Sequence, residues 1–117
     1  MAEKSAWVCT DPDCCQYRKL VSDEPGNESF HLFQVQEIPE GFVIANCHVS
    51  AEDVADERAE LLQMYGYTEE DLSKMDRLEA AGILAECWFE THVFENLSST
   101  KYRTFKGAAE ALKSLII

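Results

Sequence analysis

Positive charge is what this chain has least of. Lysine and arginine together number 10 against 22 aspartates and glutamates, a formal net charge of −12 over 117 residues. Such a surface repels nucleic-acid phosphates and anionic membranes, so direct nucleic-acid binding is disfavoured and a basic protein surface is the expected partner. Long apolar runs are missing too. No segment approaches the roughly 20 residues that span a bilayer, and no basic amphipathic helix suits a membrane surface. The start, MAEKSAWVCTDPD, lacks the basic and apolar regions of a secretory signal. These absences predict a cytoplasmic protein with no membrane association. Glycines number 5, and they are scattered as turn and cap residues, so no phosphate-cradling loop forms. Three histidines and isolated serines do not assemble convergent catalytic groups, and the expectation is a non-enzyme.

What is there suffices for one core. Hydrophobic residues make up 46% and aromatics 10% of the chain, which argues against general disorder and for a single domain over 1–117. Cysteines number 5. An odd count in a reducing compartment favours free thiols or metal ligands over disulfides.

Asp11-Pro12 is N-cap chemistry and predicts a short helix over 12–21. The segment 22–28 reads as an exposed, mobile loop. Runs over 30–36 and 42–49, joined by Ile38-Pro39-Glu40-Gly41, predict a β-hairpin. Ser50 and Asp53 frame a capping box for a helix over 51–65 that Gly66 ends. Thr68 and Asp71 open the next helix in the same way, and Gly82 stops it. From Ile83 a period of two predicts a strand over 83–93. Asn96 to Thr100 reads as a turn, and 101–105 closes a second hairpin. Thr104 caps a last helix with an apolar stripe of Phe105, Ala108, Ala109, Leu112, Leu115 and Ile116. The sum is α-β-β-α-α-β-β-α, an α+β fold in which an antiparallel sheet of two β-hairpins carries helices on one face. The apolar end 112–117 either completes the core or pairs with a second copy as a homodimer.

Candidate chemistry is sparse. Cys9, Cys14, Cys47 and His48 carry metal-ligating atoms, and the Cys9/Cys14 spacing is one a structural zinc accepts. Cys47 and His48 are adjacent, however, and adjacent strand residues point to opposite faces. The alternative makes Cys15, Cys47 and Cys87 small buried hydrophobes. A Cys47 nucleophile paired with His31, His48 or His92 needs a depressed thiol pKa, which a negative field opposes. The segment Leu78-Glu79-Ala80-Ala81-Gly82-Ile83-Leu84, with the strand, turn, strand and helix read after it, resembles the helix end and wing of winged helix-turn-helix regulators. That resemblance implies a DNA-reading helix before the glycine and a basic wing tip. Here the helix opens Glu69-Glu70-Asp71, and the tip, 96–100, is neutral.

The feature that fits the composition is an acidic helical surface. Glu52, Asp53, Asp56, Glu57, Glu60, Glu69 and Glu70 crowd 52–71, with Tyr65 and Tyr67 beside Gly66 as aromatic anchors. The expectation is a small interaction protein, an inhibitor or regulator, that docks a basic, nucleic-acid-binding surface of its partner. The alternative is a zinc-stabilised or winged-helix-like regulatory domain.

Overall fold

A computed structural model describes residues 7–116; 1–6, which hold the start of the signal-peptide reading, and Ile117 of the apolar end lie outside the described residues. Strands β1 (Val8–Asp11), β2 (Gln16–Ser22), β3 (Ser29–Ile38) and β4 (Gly41–Ser50) come first. Helices α1 (Ala51–Ala55), α2 (Arg58–Tyr65), α3 (Glu69–Ser73) and α4 (Arg77–Thr91) follow, with a 3-10 turn at Val93–Glu95. Strand β5 (Leu97–Tyr102) and helix α5 (Phe105–Leu115) end the chain. The five strands form one sheet in sequence order, antiparallel throughout. The class is α+β, but the strand-first order replaces the expected helix-first one.

Side-chain alternation gives the β3–β4 ribbon two apolar faces. Phe30, Leu32, Ala45 and Val49 pack with Val54, Leu61, Leu72, Leu84 and Phe89 of the α1–α4 layer. Phe33, Val35 and Ile44 point the other way and pack with Ala108, Ala109 and Leu112 of α5. Helices therefore cover both faces rather than one. A strand pair with alternating apolar residues on each side needs two covers.

Three elements differ from expectation for identifiable reasons. Asp11-Pro12 organises a turn instead of a helix: the Asp13 N–H donates to Asp11 Oδ1 at 3.0 Å, and Cys15 adopts a left-handed φ of 55°. An Asx turn competes with the N-cap for the same side chain, and residues 16–22 continue as β2. Residues 83–91 are helical. Ala81, Leu84, Ala85 and Trp88 repeat at helical spacing, and neighbours on both sides are also apolar, so a period of two appears in a helix that is largely buried. Gly82 lies inside α4 instead of ending it, and the wing-like strand entry is absent from 78–84. Of the turn expected at Asn96–Thr100, residues 97–100 are instead part of β5, paired to β4 through Ala45 and Leu97.

The caps are as read. Ser50 with Asp53 and Thr68 with Asp71 form complete capping boxes, Gly66 is left-handed at φ 79°, and Thr104 caps α5. The helix over 51–65 breaks at 56–57. Gly41, at φ 138°, ends the Pro39–Glu40 turn where an added Cβ would stand 2.5 Å from the Tyr102 carbonyl oxygen, so only glycine fits.

Candidate docking surface

The sheet separates the charges. The layer spanning 51–96 holds thirteen carboxylates against Arg58, Lys74 and Arg77, a net charge of −10. The segment from Leu97 onward, which runs through strand β5 into α5 on the opposite face, carries Lys101, Arg103, Lys106 and Lys113 against Glu110 alone. The asymmetry in sequence becomes one across the sheet because α1–α4 and α5 pack on opposite faces.

Within the acidic layer, local chemistry already engages many carboxylates. Asp53 and Asp71 accept backbone N–H groups in their capping boxes. Glu69 takes both Nε and Nη2 of Arg58 at 2.8 Å, and this guanidinium holds the Glu69 carboxyl below its ordinary range. Glu70 lies 3.8 Å from Lys74. Glu57 accepts from His92 Nε2 at 2.9 Å, and Glu95 meets Nδ1 at 3.1 Å. Glu52, Asp56 and Glu60 are exposed and make no ion pair among the described residues. Of the carboxylates expected to dock, these three are free for a partner, and Glu79 and Glu90 of α4 are likewise exposed without an ion pair among the described residues.

Several concavities flank this surface. Tyr65 and Tyr67 open a small cleft of about 240 Å³ shared with Thr10, Asp11, Gln16, Glu86 and Glu90. On one side of it, Thr10 donates to Gln16 Oε1 at 2.7 Å, and Gln16 donates to Gln34 Oε1 at 2.7 Å. These bonds satisfy amides that are buried. Glu86 pairs with Arg18. Burial nevertheless pushes the Glu86 carboxyl up, as it does that of Glu90, with the Asp11 charge adding to both. The second concavity is larger, about 850 Å³, and lies between α1, α3, α4 and the 23–28 turn. Arg77 fastens that turn by donating to the Glu28 carboxylate and, at 3.0 Å, to the Asp23 carbonyl.

The expected anchors therefore divide. Glu52 and Glu69 line the large groove, Glu57 and Glu60 a shallow hollow beside Met64 and Thr91, and Tyr65 and Tyr67 the small cleft. Glu86 and Glu90 reach that cleft from α4, a helix where the sequence pattern predicts a strand, and Asp11 reaches it from the end of β1. Asp11 and Pro12 were the available signal: read as a turn, they bring β1 alongside β2.

The metal candidates are not brought together. Cys9 is exposed on β1, Cys14 sits in the β1–β2 turn, Cys47 packs toward the α1–α4 layer, and His48 points to the other face and stacks on His31 at 4.1 Å. Among the described residues no three His, Cys, Asp or Glu side chains converge as a metal site. Burial, with Asp11 and Glu90, pushes the Cys14 thiol up to about 12. Burial, with Asp53, pushes Cys47 up to about 11. Neither sulfur is prepared as a nucleophile. Among the described residues no helix is long and apolar enough to cross a membrane. Comparison with family models, with curated proteins and with solved structures gives no match.

Proposed function

We propose that this chain is an acidic interaction protein whose α1–α4 layer docks a basic surface of another protein, as an inhibitor or regulator acting where nucleic acid would otherwise bind. The observation that carries this reading is the charge partition: the segment 51–96, whose helices form one layer on the sheet, has a net charge of −10, against +3 for the segment from Leu97 onward. A field of one sign over one face accelerates and orients encounter with an oppositely charged partner. Glu52, Asp56 and Glu60 are exposed and unpaired, so docking breaks no internal ion pair of theirs. Five free cysteines support a cytoplasmic setting.

The test uses purified basic nucleic-acid-binding proteins passed over the immobilised chain. Retention at low salt, release as the screening length falls below about 8 Å, and displacement by added DNA or RNA are the expected results. Retention by the E52Q/D56N/E60Q variant equal to that of the parent chain would sink the reading.

A further inference from the structure

The large groove has an apolar floor and a charged rim. Val54, Leu72 and Leu84 are buried at its base, with Ala80 and Ala81 half-buried between them. At about 850 Å³ it lies near the top of the 300–1,000 Å³ range of specific binding clefts. Small side chains along α4 let a second backbone approach closely.

The rim decides what can enter. Arg58 and Arg77 both line the groove, but each already holds a carboxylate, Glu69 and Glu28 respectively. Glu52 on the same rim has no such partner among the described residues. An anionic ligand would have to break those pairs inside a strongly negative field. A second copy of this chain could offer only its net-basic helix α5, whose apolar stripe of Ala108, Ala109 and Leu112 is already buried on its own sheet. An apolar segment flanked by basic side chains meets neither obstacle. The groove is walled by helices and a turn, while the sheet's edge strands β1 and β5 supply none of its lining. An extended peptide would therefore find no free strand to pair with, whereas a helix satisfies its own backbone.

We infer that this groove receives one amphipathic, basic helix of the partner protein, its apolar stripe on Val54, Leu72, Ala81 and Leu84 and its lysines or arginines against Glu52 and the neighbouring carboxylates. The inference rests on the docking reading above and names the element that is docked.

The probe is a synthetic helical peptide with leucines at i, i+3, i+4 and i+7 spacing and lysines elsewhere. An isomer of the same composition with its leucines dispersed is the control. Fluorescence titration at low salt is expected to give the amphipathic peptide about tenfold tighter binding than its isomer, the scale of one well-buried anchor. Amide shifts should map to Ala55, Leu72, Ala81 and Leu84. Ala81→Arg, which fills the groove, should remove that tenfold preference. Ala55→Arg, on the exposed lip of α1, should do the same and keeps the test decisive if Ala81→Arg unfolds. Equal binding of both peptides, unaffected by either arginine, overturns the groove inference and leaves charge docking standing. Failure of both peptides to bind at low salt overturns the docking reading and the groove inference with it.

Discussion

The guanidinium of Arg18 lies across Gly82, so close that a Cβ added to the glycine would stand 2.5 Å from Nη1 and 2.6 Å from Cζ. Gly82 is a notch in α4 through which Arg18 reaches Glu86, one turn further on, while the same guanidinium sits 5.4 Å from the centre of the Phe30 ring. Gly82→Ala sets two effects against each other. Alanine favours the helix by about 1 kcal/mol. Displacing Arg18 leaves Glu86 half-buried without its cation, a loss of about 2 kcal/mol for a pair only partly shielded from solvent. We expect Gly82→Ala to destabilise by about 1 kcal/mol in urea unfolding. In an Arg18→Ala background, the same change should stabilise by a similar amount. Failure of the sign to reverse would show that Arg18 is not what the notch accommodates.

The histidines oppose one another in pH dependence. His92 lies between Glu57 and Glu95, and its hydrogen bond to Glu57, with support from Glu95, raises its pKa above the ordinary 6.5. Its contribution is fully present below about pH 6.5 and is lost as pH rises through the higher folded value. His31 is half-buried against His48, and desolvation followed by the His48 charge lowers its pKa. That contribution is present above about pH 6.5 and is lost as pH falls through the lower folded value. His92→Gln should therefore remove stability on the acidic side and leave alkaline stability unchanged. His31→Gln should flatten the acid limb. Melting temperature against pH separates the two.

Thiol chemistry gives a third check. Cys9 is exposed, Cys15 and Cys87 are buried, and Cys14 and Cys47 are intermediate. Burial, with Glu86 and Glu90, pushes Cys87 up to about 11. Two units above the usual thiol value cuts the thiolate fraction at neutral pH roughly 100-fold. Alkylation followed by mass spectrometry should label Cys9 first and Cys14, Cys47 and Cys87 at least about tenfold more slowly, the gap closing in denaturant. A fast-reacting Cys47 would reopen the nucleophile reading that its surroundings oppose.

Local signals were legible where one side chain settles the matter. Ser50 with Asp53, Thr68 with Asp71, Gly66 and Thr104 each mark a helix end through bonds to their immediate neighbours. The stripe of α5 was legible because Lys106, Glu110 and Lys113 occupy its other side. The α4 segment was not. Its burial on several sides removes the polar residues that make a helical period visible, and Gly82 mimics a stop because the reason for it, Arg18, lies sixty-four positions away in sequence. Asp11-Pro12 starts either a helix or a turn, and pairing of β2 with β3 decides it. The docking surface was legible as charge. The groove was not, since its floor draws on α1, α3 and α4 together.

Glu52, Asp56 and Glu60 distinguish a docking role from a structural one. Each is exposed and without an ion pair among the described residues, so none contributes a bond that neutralisation would break. Asp56 sits at the C-cap of α1, where a negative charge opposes the helix dipole. Glu52 and Glu60 lie in the first turns of α1 and α2, where the same dipole favours them by a few tenths of a kcal/mol. Those local terms nearly cancel, and what remains is relief of repulsion within a layer of thirteen carboxylates. The E52Q/D56N/E60Q variant should therefore be as stable as the parent chain, or more stable by about 0.5 kcal/mol. Its stability should also rise less on adding salt. The same variant should lose retention on a basic partner. Urea midpoints and partner retention, measured together, check both arms: a destabilised variant would assign these carboxylates to the fold, and undiminished retention would place the docking surface elsewhere.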